Sequence, residues 1–314
     1  MSNKKELAEY EEYESLKRSK FKQQKLPGWR SYPSMFNAIL FFFSLGILTL
    51  GIGIAMKIFS DEIVECEEPY NNNNTVTIPI NKRMKGDIMV YYKVNNFYQN
   101  NRRFMNSRSE GQLRGKNIAI DQIKKSHECD PIITNRDLGI TLPNGLNESD
   151  IAIPCGLMAR SFILFNDTFS FTLSNGSDLK IDETNISRKY DRENYNNFEN
   201  LEKQWLNITD EHFLVWMRTS PFANFRKLYG RIKGDLEPGI NITVTINHSQ
   251  YYNESEFQRS NISKSIYLTT VNSFGGKNDE LALSFWNFGL LCIILGIVFI
   301  IAFKCHDKKS NNND

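Results

Sequence analysis

Two long apolar stretches, one near each end of the chain, constrain its fold more than any other feature. Residues 36–59 (FNAILFFFSLGILTLGIGIAMKIF) carry a single charge, Lys57, and residues 284–303 (SFWNFGLLCIILGIVFIIAF) carry none. As a helix, each stretch is long enough to cross a hydrocarbon core of about 30 Å. A core helix of a soluble protein would show a polar stripe, which both stretches lack. We therefore predict two transmembrane helices, which divide the chain into an N-terminal tail (1–35), a first span (36–59), a middle segment (60–283), a second span (284–303) and a C-terminal tail (304–314).

A cleaved signal peptide is the alternative interpretation of the first stretch. The stretch is too long for the apolar region of a signal peptide, and no small-residue cleavage site follows it. The 35 residues that precede it are also rich in glutamate, whereas a signal peptide begins with a short basic segment. These features favour a membrane span.

The charges that flank the two spans predict the orientation of the chain. Basic residues precede the first span and follow the second: Lys17, Arg18, Lys20, Lys22, Lys25, Arg30, Lys304, Lys308 and Lys309. Acidic residues lie on the other side of each span: Asp61, Glu62, Glu65, Glu67, Glu68, Asp279 and Glu280. Lysine and arginine close to a span stay in the cytosol. Both termini are therefore predicted to be cytosolic, and the middle segment extracytosolic.

Glycosylation signals support the same orientation. Ten Asn-x-Ser/Thr sequons begin at Asn73, Asn147, Asn166, Asn175, Asn185, Asn207, Asn241, Asn247, Asn253 and Asn261, and all lie between the spans. The asparagine-rich segment would carry roughly four such sequons by chance. We predict these asparagines as glycosylation sites.

The middle segment also holds three of the five cysteines, Cys66, Cys129 and Cys155. In an oxidising compartment two of the three are expected to pair. Cys129 and Cys155 are the nearest two in sequence, and closing that loop would contribute about 3.5 kcal/mol by the chain-entropy model. Cys66 would then be left free or paired elsewhere.

The hydrophobic pattern of the middle segment predicts a mainly antiparallel β domain with a few short helices. In residues 240–247 apolar residues alternate with asparagine and threonine, which is typical of a half-buried strand and places Asn241 and Asn247 on its polar face. Further strands are predicted at 76–80, 88–94, 168–174 and 265–271, and a helix at 188–205. Asn175-Gly176 predicts a hairpin turn after the strand at 168–174.

The sequence offers little chemistry. It has no nucleotide-binding P-loop, no nucleophile elbow, no zinc-protease motif and no Asp-Lys-Thr-Gly-Thr run. His127-Glu128-Cys129 lacks a second cluster with metal-ligand spacing, and Cys129 is better used in a disulfide. We predict no catalytic, cofactor or metal site. A net charge of +2 also gives no reason to expect a nucleic-acid partner.

Several multi-residue motifs resemble one protein family, the cell division control protein 50 or ligand-effect modulator family. In chain order they are KQQKLPGWR (22–30), FYQNNRRFMNSRSEGQLRG (97–115), IPCG (153–156), FNDT (165–168), FLVWMRTSPFANFRKLYGRI (213–232) and GGKN (275–278). The resemblance covers nearly the whole chain.

This resemblance implies an accessory, non-catalytic subunit in a heterodimer with a type-IV P-type ATPase that moves aminophospholipids to the cytosolic leaflet. It further implies a jelly-roll-like β ectodomain, contact with membrane lipids, roles in ER exit and in the catalytic cycle of the ATPase, and residence in the endoplasmic reticulum, Golgi, endosome or plasma membrane. By matching position, Cys129–Cys155 corresponds to a family disulfide and Asn166, Asn175 and Asn241 to family glycan sites. Other family members often have further paired cysteines early in the ectodomain, where this chain has only Cys66.

Two other classes share the predicted topology, namely two-span ion-channel subunits and glycosylated cell-surface receptors. Such channel ectodomains usually carry many cysteines, whereas only three lie between the spans here. The motifs above do not resemble the receptors.

Overall fold

The computed structural model describes residues 13–14, 17–21, 23, 34–143, 145–251 and 260–311. The chain forms two compact units. One, the membrane unit, comprises Met1–Met56 and Asp279–Asp314, and the other, the central domain, comprises Lys57–Asn278. The two units are described separately below.

The membrane unit contains two long apolar helices, α1 (Met35–Asp61) and α8 (Asp279–Asn311). Each includes a 27-residue stretch that is long and apolar enough to cross a membrane. Only 17% of the most apolar part of each helix is buried within the protein, whereas the core helix of a soluble protein would be mostly buried. The helices predicted from the two apolar stretches are thus present.

Glycines allow these two helices to approach closely. A Cβ atom added to Gly46 would lie 3.0 Å from the carbonyl oxygen of Gly289, and one added to Gly289 would lie 3.0 Å from the carbonyl oxygen of Gly46. A Cβ on Gly296 would likewise lie 2.7 Å from the ring of Phe43. Gly51 faces open space instead. Small residues at such positions are typical of helix pairs within membranes.

The central domain is built on two four-stranded antiparallel sheets. The strands are β1 (Glu65–Pro69), β2 (Thr75–Pro79), β3 (Ile88–Asn95), β4 (Thr168–Leu173), β5 (Asp178–Leu179), β6 (Phe225–Ile232), β7 (Asn241–Asn247) and β8 (Ser263–Thr270). One sheet has the order β1-β8-β3-β6 and the other β2-β7-β4-β5. These two orders are those of a jelly roll, which confirms the predicted fold class.

Alternating burial along the strands places the core between the sheets. In β7, Ile242, Val244 and Ile246 are buried while Asn241 and Asn247 are exposed, as the period of two predicts. β4 and β5 pair on either side of the turn predicted at Asn175-Gly176, and Gly176 takes a positive φ of 81° in that turn. The local pattern therefore sets which face of each strand is buried.

Short helices lie in the connections between strands. They are α2 (Arg102–Asn106), α3 (Glu110–Leu113), α4 (Ile120–Ser126), α5 (Leu157–Phe165), α6 (Lys189–Asn194) and α7 (Glu211–Met217), with 3₁₀ turns at Asn135–Leu138 and Leu201–Lys203. Helix α7 begins after Asp210, whose side chain accepts a hydrogen bond from the backbone N–H of His212. Its Phe213 and Trp216 are fully buried in the core.

The predicted helix at 188–205 is wrong over half of its length. Only α6 and the 3₁₀ turn at Leu201–Lys203 are helical there. The backbone N–H of Asn196 donates instead to the carbonyl oxygen of Leu113, and that of Phe198 donates to the side chain of Gln204. These hydrogen bonds, together with burial of Phe198, replace the helical ones.

Three strands were not predicted, namely β1, β5 and β6. Charged residues interrupt the apolar pattern of β1 and β6, and β5 has only two residues. In β1, the Glu67 carboxylate lies 2.8 Å from Lys93 Nζ on the same sheet. Ion pairs across strands satisfy charges that propensity alone disfavours in a strand.

Candidate partner-binding surface

A buried aromatic cluster brings together three of the motif segments. The ring centroid of Phe97, from the FYQN motif, lies 4.9 Å from that of Phe165, 5.9 Å from that of Trp216 and 6.4 Å from that of Phe225. Phe165 and Trp216 stack at 4.7 Å. Aromatic pairs at such separations contribute about 0.5–1.5 kcal/mol each beyond area burial. The cluster therefore fixes these segments against one another.

Two loops leave this cluster side by side, residues 96–101 and residues 218–224, and we call them the two-loop surface. Four hydrogen bonds join them: Phe97 N to Ala223 O at 3.0 Å, Asn100 Nδ2 to Pro221 O at 2.8 Å, Ser220 N to Gln99 Oε1 at 3.0 Å and Asn96 N to Asn224 Oδ1 at 2.9 Å. The Gln99 side chain is fully buried. These contacts hold the two loops in one conformation.

The two-loop surface presents two large aromatic side chains to solvent. Tyr98 is 59% exposed and Phe222 is 72% exposed, although their immediate neighbours are tied into the fold. Rigid exposed aromatics of this kind are typical of protein–protein contact sites. The surface can therefore bind a partner without paying a large ordering cost.

A buried lysine, Lys227, forms hydrogen bonds to the backbone at the start of the loop at 218–224. Lys227 on β6 donates hydrogen bonds from Nζ to the carbonyl oxygens of Val215 at 3.2 Å, Trp216 at 3.3 Å and Arg218. These carbonyls belong to the C-terminal end of α7, where cations are favourable. Burial lowers the pKa of Lys227 to about 7. The role of Lys227 was missed in the sequence, because β6 was not predicted and a lysine gives no signal of burial.

The IPCG motif is held in the core of the central domain by a disulfide and a buried amide. Cys129 and Cys155 form a disulfide with their Cα atoms 5.6 Å apart. Gln112 accepts a hydrogen bond from Cys155 N at 2.8 Å and donates one to Ala152 O at 3.2 Å. Cys66 is a free thiol, and burial raises its pKa above the ordinary value, with a smaller contribution from Glu68.

The FNDT motif contains a buried carboxylate, Asp167. It accepts hydrogen bonds from the hydroxyl of Tyr70 at 2.8 Å, from the backbone N–H of Ser249 at 3.0 Å and from Nζ of Lys264. Burial lowers the pKa of Lys264, and the negative charge of Asp167 opposes that shift. Lys264 lies on β8 of one sheet and Asp167 directly before β4 of the other, so this ion pair links the two sheets.

The predicted glycosylation sites that the structure describes lie on the surface of the central domain. Nine of the ten sequon asparagines are exposed, and the tenth, Asn253, lies outside the described residues. In the sequons at Asn175 and Asn207, the asparagine side-chain oxygen accepts a hydrogen bond from the hydroxyl two residues later, at 2.6 Å and 2.8 Å. Glycosylation of these sites stays a prediction.

Within the described ranges, no three His, Cys, Asp or Glu residues are grouped as metal ligands. The side chains of His127 and Asp130 are exposed and 2.6 Å apart, while Cys129 is held in the disulfide. His212 pairs with Glu183 at 3.0 Å. The described residues therefore offer no candidate metal site, and the candidate functional site of the central domain is the two-loop surface with its exposed aromatic side chains.

Two apolar terminal helices and a jelly-roll domain between them define a class of two-span membrane proteins. The model of the ligand-effect modulator 3 (LEM3) family, also called the CDC50 family, matches residues 9–309. The chain belongs to this family.

Similar proteins include relatives from plants and mammals. The chain is 32% identical to ALA-interacting subunit 3 of Arabidopsis thaliana, over 93% of this chain and 87% of that protein. It is 28% identical to cell cycle control protein 50A of Bos taurus, over 94% of this chain and 90% of that protein. The expectation drawn from the sequence motifs is thus confirmed at the level of the family.

Proposed function

We propose that this chain is the non-catalytic accessory subunit of a P-type ATPase phospholipid flippase, with which it forms a heterodimer. The observation that carries the proposal is membership of the family across residues 9–309, together with a relative named as an ALA-interacting subunit. In this role the chain assists folding of the ATPase, its exit from the endoplasmic reticulum and the translocation of aminophospholipids to the cytosolic leaflet. ATP hydrolysis and the lipid path belong to the partner, and no nucleic acid takes part.

The two-loop surface is the contact that we assign to the partner in the central domain. Tyr98 and Phe222 supply apolar area, and the hydrogen bonds between their loops reduce the entropy lost on binding. Exposed Arg102 and Arg103, which follow directly on the loop that carries Tyr98, add positive charge at its edge. Aromatic residues and arginine are the residue types enriched at binding hot spots.

The first test is co-purification from detergent. The full chain should retain a large P-type ATPase, and deleting the chain should lower uptake of labelled phosphatidylserine by cells. The double variant Tyr98→Ala/Phe222→Ala should lower the amount of retained ATPase at least tenfold, because truncating two hot-spot aromatics costs about 2 kcal/mol each.

Leu201→Ala is a suitable control, since Leu201 is equally exposed, at 63%, and lies outside both loops. It should retain the ATPase in full. If the unaltered chain retains no ATPase and its deletion leaves lipid uptake unchanged, the proposed function is wrong. If the unaltered chain retains the ATPase and the double variant retains the same amount, the proposed function stands but the assigned surface is wrong.

We further propose that tails 1–35 and 304–314 are cytosolic and that 60–283 is glycosylated and extracytosolic, in the endoplasmic reticulum, Golgi, endosome or plasma membrane. Basic residues flanking the spans support this orientation, as do exposed sequons and a disulfide, which forms in oxidising compartments. N-glycosidase should increase the gel mobility of the full chain, and protease added to sealed plasma-membrane vesicles whose extracellular face is outward should leave both tails intact. Unaltered mobility and cleavage of the tails would contradict the orientation.

A further inference from the structure

An arginine-rich cleft of about 520 Å³ lies in the central domain beside α3, α6 and the end of α7. Four arginines from three segments of the chain line it: Arg108, Arg114, Arg188 and Arg218. Only two acidic residues, Glu110 and Asp191, line the same cleft. The lining therefore has a surplus of two positive charges.

The oxygen atoms of both carboxylates are already engaged within the protein. The Asp191 carboxylate is almost fully buried and accepts two hydrogen bonds from Arg218, from Nε at 2.7 Å and from Nη2 at 2.9 Å. One oxygen of Glu110 lies 2.9 Å from Arg108 Nη2, and the other accepts a hydrogen bond from the Tyr195 hydroxyl at 3.4 Å. These pairs hold Arg108 and Arg218 in place at the cleft.

Arg114 and Arg188 supply the surplus charge. In the part of the chain that the structure describes, neither has a carboxylate within 4.0 Å. Both are exposed, and both line the cleft. A guanidinium group presents a planar fork of N–H donors that matches the oxygen atoms of a phosphate or carboxylate group.

The rest of the lining suits a ligand that carries more than charge. Leu214 and Met217 form a buried apolar floor, and Tyr190, 58% exposed, stands at the cleft. Burial, followed by the charge of Glu110, raises the pKa of Tyr195, so its hydroxyl stays protonated and keeps its hydrogen bond to Glu110. A volume of about 520 Å³ lies within the range typical of small-ligand sites, about 300–1,000 Å³.

We propose that this cleft binds a phosphate-type oxyanion, with Arg114 and Arg188 as its direct ligands and with Arg108 and Arg218 as fixed neighbours. A phosphate monoester or inorganic phosphate carries about −1.5 to −2 at pH 7, which matches the surplus of two positive charges. A phospholipid headgroup offers the same phosphate chemistry with one negative charge on a diester. Every residue of the site belongs to this chain, so the test needs no partner subunit and does not depend on the proposed function, although Arg218 also belongs to the two-loop surface.

The test uses the full chain purified in a neutral detergent. Inorganic phosphate is titrated at constant ionic strength, with chloride as the balancing anion, and binding is followed by phosphorus NMR line width and by the melting temperature. The apparent Kd should weaken at least tenfold in Arg114→Gln/Arg188→Gln. It should be unchanged in Lys124→Gln/Lys125→Gln, which removes two exposed positive charges from α4, outside the cleft.

A second titration distinguishes the two sources of the phosphate group. Tighter binding of water-soluble dihexanoyl phosphatidylserine than of inorganic phosphate assigns the cleft to a lipid headgroup, and the reverse order assigns it to free phosphate or a monoester. The proposed site is wrong if Arg114→Gln/Arg188→Gln binds phosphate with the same apparent Kd as the unaltered chain, provided that the two proteins have the same melting temperature without phosphate. The proposal is also wrong if the chain binds a hexaglutamate peptide but not phosphate, because the ligand would then be an acidic protein segment.

Discussion

Asp167→Asn is expected to destabilise the central domain by about 3–5 kcal/mol, because it removes the buried carboxylate that pairs with the charge of Lys264. The Lys264 side chain is only 1% exposed and that of Asp167 is fully buried. The substitution also weakens the acceptor for the Tyr70 hydroxyl and the Ser249 N–H. For a domain of this size, each kcal/mol lowers Tm by about 2–4 °C, so Tm should fall by about 10 °C.

This substitution has the advantage of keeping the sequon at Asn166 intact, since Asp167 is its middle residue and Thr168 remains. A change in glycosylation therefore cannot account for the loss of stability. The measurement is the Tm of the purified full chain, with unfolding monitored by tryptophan fluorescence.

The double variant Asp167→Asn/Lys264→Met serves as the matched control. It removes the buried positive charge together with its counter-ion, and such replacements are often neutral or stabilising. Its Tm should therefore be well above that of Asp167→Asn alone. A single variant that loses less than about 1 kcal/mol, or a double variant that is less stable than the single one, would contradict the assigned role of the ion pair.

The local features of the central domain could be predicted from the sequence, whereas its long-range pairings could not. Alternation of apolar and polar residues is enough to predict β7 and the inward direction of Ile242, Val244 and Ile246. The pairing of Glu65 with Thr269, by contrast, joins the two ends of the domain, and no local pattern specifies it. The jelly-roll order was therefore available only from the resemblance to a family.

The candidate surface shows the same division. The motif segments were recognised, but their meeting in one aromatic cluster depends on tertiary packing of Phe97 against Trp216. Gln99 and Lys227 are polar residues whose burial no hydrophobic pattern indicates. Their value to the fold comes from specific hydrogen bonds to the loop at 218–224 and to the end of α7.

The glycine of the IPCG motif gives the second large prediction, because Gly156→Ala should prevent the motif from packing. Gly156 has a φ of +102°, and a Cβ atom at this position would lie 2.1 Å from the carbonyl oxygen of Ser107 and 2.6 Å from its carbonyl carbon. Backbone atoms cannot yield as the end of a flexible side chain can. Ser107 also accepts hydrogen bonds from Leu157 N, through Oγ at 2.8 Å, and from Met158 N, through its carbonyl at 3.3 Å.

Moving Ser107 away would therefore break the hydrogen bonds that join the FYQN and IPCG segments at the start of α5. Two lost hydrogen bonds at about 1 kcal/mol each, added to about 1–2 kcal/mol for a positive φ with a side chain, predict a cost of about 3–4 kcal/mol. The expected results are a Tm lowered by about 10 °C and, because Cys155 adjoins Gly156, less complete formation of the Cys129–Cys155 disulfide.

Gly176→Ala is the control that separates backbone strain from the steric clash. Gly176 also has a positive φ, +81°, but a Cβ atom there would meet no atom within 4 Å, and the sequon at Asn175 would be preserved. Only the strain of about 1–2 kcal/mol should remain, with normal disulfide formation. Equal losses of Tm in the two variants would show that positive φ alone explains both glycines, and that the close approach of Ser107 to Gly156 contributes nothing.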